Sequence, residues 1–547
     1  MIEQGSSVAT YLTLSAEKYP ETPALVCGAN VPTFRPLSFS QLDQTVDQAV
    51  VELFDAGIQK GDKALLFVNP GPGLIIWAFA LFRIGAVPVV IDPGMGMKSF
   101  LKCIHRTQPD AMVGISRAFW MSRILRGPFK SVSKRYLVRP GNFGRPAEKK
   151  TFPANHHVDP NQLAAIVFTS GSTGTPKGVR YLHRTFDTQI QALKNVFGMM
   201  PGEIDLTTLP IFGLFNPALG ITSVLPEINP RKPASADPSK LVHALIHHKI
   251  TTAFASPIIG KKIVSASNAK KLLFPAMNRF FLAGAPVPPS LAEGLQQCLP
   301  HGKVIVPYGA TEALPVSSTH AAEILQNKTS ILAGEGSLIG TPVPGAKVCI
   351  IPSVPSPLPD YEEGFSGLNP GQVGEICVSG GMVSAGYDRM PGATCDARFK
   401  IGNDPFHRMG DLGYFDSAGH LRFLGRKVEC IVTKDGPIET ERCEPSINQL
   451  PFVQKCALIG LGAPPDQQPC LVIEPVREQM RKVGEVALRK EVLDECKNRF
   501  AKFNIQRVLF EKHLPVDARH NAKIHRLSLA KKWTHHIRRK PDLGKIK

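Results

Sequence analysis

The stretch TSGSTGTPKGV, residues 169–179, combines three glycines, one proline and one lysine with five hydroxyl side chains. It follows LAAIVFTS, residues 163–170, whose apolar run predicts a buried strand that ends in this loop. Glycines let a backbone turn tightly and approach a ligand closely, and consecutive N–H groups in such turns attract anions. Together with the hydroxyl groups and the charge of Lys177, these features suit the loop to holding a chain of phosphates.

The loop differs from the Walker A phosphate-binding motif. That motif, G-x-x-x-x-G-K-[ST], places a lysine directly between a glycine and a hydroxyl residue. Here Pro176 precedes Lys177 and Gly178 follows it. A flexible loop that covers a polyphosphate fits these residues better, and a mobile surface loop is the alternative on the residues alone.

Short apolar segments with strand character lie on both sides of this loop. Before it, DKALLFVNPG predicts a strand, and GLIIWAFALFRIGAVPVVIDP predicts a helix followed by the strand VPVVI. After it, TTAFASP, RFFLAGAPVPPS and GKVIVPYGATE each predict a strand that leads through a turn to a helix. This order predicts a parallel sheet, and ligands bind outside the carboxyl ends of such strands. We therefore expect these loops to converge on one crevice.

The predicted fold class is α/β, with two domains, because 547 residues exceed what one hydrophobic core usually supports. The N-terminal domain, residues 1–426, is expected to combine mixed parallel sheets and helices with a small β subdomain that starts near Ile339. The C-terminal domain, residues 427–547, is expected to be a smaller, mobile α+β unit with a helix at residues 486–500.

The composition indicates a cytoplasmic globular protein with an unusual formal charge of +19. The longest apolar run has nine residues, too few to cross a bilayer, and the N-terminus lacks the pattern of a signal peptide. Residues 531–547 hold seven Lys or Arg against one Asp. This basic end is either a solvated tail or a docking segment for an anionic membrane or an acidic partner. No nucleic-acid module is recognised, so nucleic acid is not an expected partner.

The loop resembles the signature of the adenylate-forming superfamily of AMP-binding enzymes, which includes acyl-CoA synthetases, peptide-synthetase adenylation domains and luciferases. Four further motifs agree with this superfamily in their order along the chain: YGATE at 308–312, HRMGDLG at 407–413, FLGRK at 423–427 and NAKIHR at 521–526.

The resemblance implies a site for ATP and Mg²⁺. The residues expected at the ATP phosphates are Thr169, Ser170, Gly171, Ser172, Thr173, Gly174 and Lys177. Those expected around the adenine are Gly284, Ala285, Pro286, Tyr308 and Gly309, and those expected at the ribose are Asp411 and Arg426. Thr311 is expected to contact the α-phosphate, Glu312 to bind Mg²⁺, and Lys523 to stabilise the charge that grows on the α-phosphate.

Two segments resemble a narrower family, the β-lactone synthetases of bacterial long-chain olefin biosynthesis: PYGATEALPVS at 307–317 and LPVDARHNAKIHR at 514–526. This resemblance implies adenylation of a long-chain 2-alkyl-3-hydroxy fatty acid, whose 3-hydroxyl then closes a β-lactone. It also implies thiolase-like, reductase and β-lactone decarboxylase partners. His520 is a candidate base for the hydroxyl because it lies close to Lys523 in sequence, and a structural role for it is the alternative.

Two positions depart from the superfamily. Val428 stands where the hinge residue is usually Asp or Lys, and Gly213 stands where many relatives carry a histidine at the edge of the acyl pocket. We therefore expect a wider pocket, which Phe212 and Phe215 could line. The alternative functions are a long-chain acyl-CoA synthetase or acyl-AMP ligase, and an inactive scaffold, against which Lys177, Glu312, Asp411 and Lys523 argue.

Overall fold

A computed structural model of the chain describes residues 8–28, 34–139, 159–169, 175–209, 212–229, 232–517, 523–540 and 542–545. Within these ranges the molecule has a large N-terminal domain of mixed sheets and helices and a smaller C-terminal domain. None of the helices in the described ranges is both long and apolar enough to cross a membrane.

The strand that enters the glycine-rich loop belongs to a six-stranded sheet. Its strands, in spatial order, are Lys134–Leu137, Ala111–Gly114, Lys63–Phe67, Val87–Val90, Leu163–Thr169 and Lys177–Leu182. All neighbours are parallel except the last two, which run antiparallel on either side of the loop. The strands predicted in this part of the sequence are confirmed.

A larger sheet carries the other predicted strands. From one edge its order is Leu37–Ser38, Pro23–Cys27, Thr222–Leu225, Ile204–Thr207, Thr252–Ala255, Arg279–Leu282, Lys303–Ala310, Ala313–His320, Ser337–Pro342, Leu421–Arg426, Asp404–Phe415, Gly374–Ser379 and Lys347–Ile351, with Arg398–Ile401 paired to Asp404–Phe415. The neighbours from Pro23–Cys27 to Lys303–Ala310 are parallel, and the strands beyond are antiparallel. The predicted β subdomain therefore exists, but hydrogen bonds join it to the α/β sheet.

The helices of the N-terminal part cover and separate these sheets. They are Val8–Lys18, Phe39–Asp55, Pro72–Ile84, Met97–Thr107, Ser116–Ile124, His183–Asn195, Asn216–Leu219, Pro238–His247, Pro257–Lys270, Pro289–Gln297, Ala321–Gln326, Lys328–Ser330 and Pro391–Asp396. The helix Pro72–Ile84 is apolar on all sides because it packs in one core with residues of both sheets, including Leu25 and Ala64.

One predicted element is wrong. The sequence GKVIVPYGATE was expected to lead into a helix, but the structure continues from the turn at Thr311 and Glu312 into the antiparallel strand Ala313–His320. Residues along this strand alternate between more and less buried positions, and Pro315 near its start disfavours a helix interior. Glu312 therefore lies between two strands and is not at the start of a helix.

The C-terminal domain has its own core around a three-stranded sheet of Val453–Leu461, Gln468–Pro475 and Val508–Phe510. A hairpin of Ile431–Thr433 and Gly436–Ile438 precedes it, and its helices are Glu444–Ile447, Arg477–Val483, Glu485–Phe500 and Arg526–Arg539. The predicted helix at residues 486–500 is confirmed with one additional residue at its start.

The basic end of the chain is not a free tail in its first part. The helix Arg526–Arg539 buries Leu529 and packs Trp533 and Ile537 against the C-terminal sheet. Lys532 pairs with Glu511, and the backbone of Leu543 accepts a hydrogen bond from Arg507. Much of the positive charge is thus displayed on a folded helix, which amends the expectation of a solvated tail.

Candidate active site

Lys177 begins the strand that returns from the glycine-rich loop, where its Cα pairs with that of Thr169. Its ammonium lies 4.6 Å from the centre of the Tyr387 ring, a cation–π contact. A Cβ at Gly178 would lie 2.8 Å from the Phe168 ring, so close packing of the two strands requires glycine there. The predicted phosphate residues Ser170, Gly171, Ser172, Thr173 and Gly174 and the side chain of Thr169 lie outside the described part of the structure.

Thr311 and Glu312 form the turn between two antiparallel strands, and two tyrosines hold this turn. The Tyr387 hydroxyl donates to Glu312 Oε1 at 3.0 Å, and the Tyr181 hydroxyl donates to the Thr311 carbonyl at 2.5 Å. The backbone of Ser384 also donates to the Glu312 carbonyl at 2.8 Å. Tyr387 thus connects the carboxylate of Glu312 with the ammonium of Lys177, since it contacts both.

Asp411 is buried between Tyr308 and Arg426. The Tyr308 hydroxyl donates to Asp411 Oδ2 at 2.6 Å, and Arg426 Nη1 lies 3.0 Å from Oδ1, across paired strands. Oδ1 nevertheless accepts no hydrogen bond from any described residue. Burial raises the pKa of Asp411, and the positive charge of Arg426 opposes this rise. The site therefore holds a buried carboxylate with one acceptor oxygen still to be used.

Lys523 belongs to the C-terminal domain and lies close to this group. Its N–H donates to Asp517 Oδ1 at 2.9 Å, and the Asp517 N–H donates back to the Lys523 carbonyl. The surrounding protein and then the charge of Arg426 lower the pKa of Lys523, while Asp411 and Glu312 oppose this fall. The side chain keeps contact with solvent. The charges of Arg426, Asp411 and Glu312 thus influence Lys523, and its place at the α-phosphate stays a prediction.

Arg526, three residues after Lys523, is held by the buried carboxylate of Glu444 and the half-buried carboxylate of Glu429. Its guanidinium makes ion pairs of 2.8 Å with Glu429 and 2.6 Å with Glu444, and a second nitrogen donates to Glu444 at 2.9 Å. Glu429 belongs to the short segment that joins the two domains, next to Val428, whose side chain is exposed. This arrangement fixes the end of the Lys523 segment within the C-terminal domain. His520 lies outside the described residues.

The residues expected around the adenine lie at the carboxyl ends of neighbouring parallel strands. Gly284, Ala285 and Pro286 follow the strand Arg279–Leu282, and Gly284 has φ of +99°. Gly309 lies on the next strand, where a Cβ would come within 2.6 Å of the Ala313 carbonyl. A side chain would therefore push apart the turn that carries Thr311 and Glu312.

Sequence reasoning assigned no role to Tyr181, Tyr387 or His407. His407 is buried, its ring centre lies 6.4 Å from that of Tyr387, and burial lowers its pKa to about 4. Its position in the HRMGDLG motif, four residues before Asp411, was the available signal. Tyr181 and Tyr387 lie in segments that match no motif, and only the folded structure brings them to Glu312.

A small apolar pocket of about 40 Å³, open in part to solvent, lies beside the Thr311–Glu312 turn. Its lining includes Phe212, Phe215, Phe254, Phe281, Leu193 and Gln189. The rings of Phe212 and Phe254 stack with centres 3.9 Å apart. A Cβ at Gly213 would lie 2.9 Å from Thr207 Cγ2, so this glycine serves close packing. The expectation that Gly213 itself widens the pocket is not supported, whereas Phe212 and Phe215 do line it.

The large N-terminal domain and the smaller C-terminal domain together have the fold of an adenylate-forming enzyme. The chain belongs to the AMP-binding enzyme family, whose model matches residues 12–388. It is 38% identical over 507 residues to the olefin beta-lactone synthetase of Stenotrophomonas maltophilia (strain K279a), covering 90% of each chain. It is also 38% identical over 546 residues to the olefin beta-lactone synthetase of Xanthomonas campestris pv. campestris, covering 96% of this chain and 97% of that one.

The fold is also that of a solved member of this enzyme class. O-succinylbenzoate coenzyme A synthetase from Bacillus subtilis, in complex with ATP and magnesium ion, superposes with a TM-score of 0.76 at 20% sequence identity. The match covers 95% of this chain and 99% of that one. At this identity the likeness concerns the fold alone.

Proposed function

We propose that this enzyme adenylates a long-chain 2-alkyl-3-hydroxy fatty acid with ATP and then closes it to a β-lactone, a reaction of olefin biosynthesis. The observation that carries the proposal is the buried Asp411 carboxylate, held by Tyr308 and Arg426, together with the apolar pocket beside the Thr311–Glu312 turn. The identity to olefin beta-lactone synthetases over nearly the whole chain supports the choice of reaction.

The residues present fit a bound adenine nucleotide. Asp411 Oδ1 is a buried acceptor without a hydrogen bond from the described residues, which suits a ribose hydroxyl donor. Arg426 assists there, and Tyr308 with Gly309 and residues 284–286 frames the adenine. The loop from Thr169 to Gly174 and Lys177 hold the β- and γ-phosphates, and Thr311 contacts the α-phosphate. The division between the domains falls between Arg426 and Lys427.

Glu312 is the residue proposed to hold Mg²⁺. No three His, Cys, Asp or Glu residues cluster as a metal site within the described ranges, so the remaining ligands would be phosphate oxygens and water. Bound there, the ion supplies charge neutralisation to the phosphates. The hydrogen bond from Tyr387 orients the Glu312 carboxylate.

In the first step a carboxylate oxygen of the acid bonds to the α-phosphorus, and the bond from that phosphorus to pyrophosphate breaks. Two anions approach each other, and the ammonium groups of Lys177 and Lys523 offset their repulsion. Lys523 acts on the α-phosphate, and Arg526 keeps its segment in place through Glu429 and Glu444.

In the second step the 3-hydroxyl oxygen attacks the activated carbonyl carbon. The new C–O bond closes the four-membered ring, the bond from the carbonyl carbon to AMP breaks, and the hydroxyl proton is released. An internal nucleophile has a high effective concentration and needs no thiol site. His520 is the proposed base.

The setting proposed for the enzyme is the cytoplasm, at the periphery of an anionic membrane or in an assembly with thiolase-like, reductase and β-lactone decarboxylase partners. The support is the basic face of the C-terminal helix, where Arg538 and Arg539 follow the packed residues.

The test is a product assay. The purified enzyme is incubated with ATP, Mg²⁺ and a long-chain 2-alkyl-3-hydroxy acid, with and without coenzyme A, and the organic extract is examined by NMR. A β-lactone formed without coenzyme A is the expected product. An acyl-CoA as the only product, formed only with coenzyme A, would identify a long-chain acyl-CoA ligase, and the absence of ATP–pyrophosphate exchange would identify an inactive scaffold.

A further inference from the structure

Gln189 is a polar side chain in the otherwise apolar lining of this pocket. It lies on the helix His183–Asn195, is only 5% exposed, and lines the pocket among phenylalanine, leucine and proline side chains. Its Oε1 atom is buried and accepts no hydrogen bond from any described residue. A buried carbonyl oxygen without a donor is costly, so an unpaired oxygen on a side chain that lines a binding pocket points to a donor on the ligand.

The orientation of the Gln189 amide is fixed by its other end. Nε2 donates to the Leu314 carbonyl at 3.1 Å, and turning the amide over would bring two carbonyl oxygens together. Burial and the charge of Glu312 raise the pKa of Tyr181, and the Gln189 amide opposes this rise, as an N–H directed at the phenol oxygen does. The nitrogen is therefore occupied, and the oxygen remains for a ligand.

Gln189 lies beside the reacting end of the pocket. Its nitrogen holds Leu314, and Tyr181 holds Thr311, so the two side chains contact both ends of the turn that carries Glu312. A substrate carboxylate at the α-phosphate would lie next to this turn. A polar group two carbons away from that carboxylate would come to the level of Gln189, whereas the alkyl chains would continue between the phenylalanine rings.

We propose that Gln189 Oε1 accepts a hydrogen bond from the 3-hydroxyl of the acid and so selects β-hydroxy acids over plain fatty acids. This inference rests on the proposed function and adds the residue that recognises the nucleophile. The hydrogen bond directs the hydroxyl O–H at Gln189 Oε1 and leaves the oxygen lone pairs free to face the carbonyl carbon.

The first experiment compares two acids with the wild-type enzyme. The probes are a 2-alkyl-3-hydroxy acid and the same 2-alkyl acid without the hydroxyl, and the rate of pyrophosphate release in a single turnover at low acid concentration measures kcat/KM for adenylation. The hydroxy acid is expected to be favoured by roughly 10-fold or more, since a site built to bind a hydroxyl rejects an analogue that lacks it. Equal values for the two acids would overturn the inference without any variant.

The second experiment uses Gln189→Leu and the control Leu193→Met, one turn further along the same helix and in the same pocket. Gln189→Leu is expected to abolish the preference for the hydroxy acid, and the lost hydrogen bond to the Leu314 carbonyl should lower adenylation of both acids alike. Leu193→Met is expected to keep the preference. Loss of both activities in proportion in Gln189→Leu, with the preference kept, would show a merely structural role and overturn the inference.

The experiments can disprove β-lactone formation and the role of Gln189 separately. If no lactone forms but the Gln189-dependent preference is present, the proposed ring closure is wrong and the recognition of the hydroxyl stands. If lactone forms and Gln189→Leu shows the same preference as the wild type, the proposed function stands and the role of Gln189 is wrong.

Discussion

The nucleotide half and the acyl half of the site are built on opposite principles. In the nucleotide half, the Asp411 carboxylate forms an ion pair with Arg426 and accepts a hydrogen bond from Tyr308. Around Phe212 and Phe254 the pocket is apolar and one amide, Gln189, supplies polarity. Under the proposed function, one half stabilises changing charge, whereas the other selects substrates by shape and by one hydrogen bond.

The largest effect is expected from Lys523→Ala, which removes a charge from the nucleotide half. Loss of one group that stabilises transition-state charge costs about 10²- to 10³-fold in kcat. Because the charged half acts before the hydroxyl is used, the loss in ATP–pyrophosphate exchange should be the same for hydroxylated and plain acids. Lys512→Ala, an exposed lysine in the same domain, is the control. A loss of activity with only hydroxylated or only plain acids would show that Lys523 also takes part in substrate selection, so that the two halves do not act separately.

The next effect concerns the acid sensitivity of the charged half. The pKa of His407 falls from 6.5 in the unfolded chain to about 4 in the fold, chiefly through burial. Between pH 6.5 and pH 4 the unfolded chain binds a proton on His407 more readily than the folded chain does. The fold therefore loses the stability that His407 contributes as the pH falls from 6.5 towards 4, and it keeps this contribution in full above pH 6.5. The difference corresponds to about 3 kcal/mol at most.

Thermal unfolding from pH 7 to pH 4 measures this contribution. Removing the imidazole, as in His407→Gln, should flatten the decline of Tm across this range, and His105→Gln, on an exposed helix surface, should leave it unchanged. An unchanged decline in His407→Gln would mean that other groups govern the acid sensitivity.

The smallest effect is expected in the apolar half. Phe254→Leu removes a ring that stacks on Phe212 with centres 3.9 Å apart and lies 5.7 Å from the Phe281 ring. Such aromatic contacts are worth about 0.5–1.5 kcal/mol, so selectivity between alkyl chains of different length should shift by up to about tenfold. The KM for ATP should stay constant. A changed KM for ATP with unchanged chain selectivity would show that the two halves are not separate.

The two halves also differ in how far the sequence predicted them. Glu312, Asp411, Arg426 and Lys523 lie in short motifs of the family that the sequence resembles, and the structure joins two of them, Asp411 and Arg426, in an ion pair of 3.0 Å. The pocket residues come from several distant helices, strands and loops, and their types are those of any hydrophobic core. Gln189 carried no local signal, since its importance depends on the apolar surroundings that folding creates.

The helix predicted after Glu312 was also wrong because contacts formed on folding, and not the local sequence, decide the structure of this segment. A Thr-Glu pair after an apolar strand is typical of a helix start, yet the pairing of Ser317 and Ser318 with the next strand, Ser337–Pro342, makes this segment the link between two parts of the sheet. Tertiary hydrogen bonding decided the local structure here. Pro315, the third residue of the segment, was the one local sign against a helix.

The central claim, that the charged half activates the carboxylate and the hydroxyl then displaces AMP, is tested most directly with an isotope. The enzyme is given ATP, Mg²⁺ and a 2-alkyl-3-hydroxy acid whose two carboxylate oxygens are ¹⁸O, and the products are analysed by mass spectrometry. The account predicts one ¹⁸O in AMP and one in the lactone carbonyl. Unlabelled AMP with both ¹⁸O atoms in the lactone would mean that the hydroxyl is the group activated, and would contradict the account.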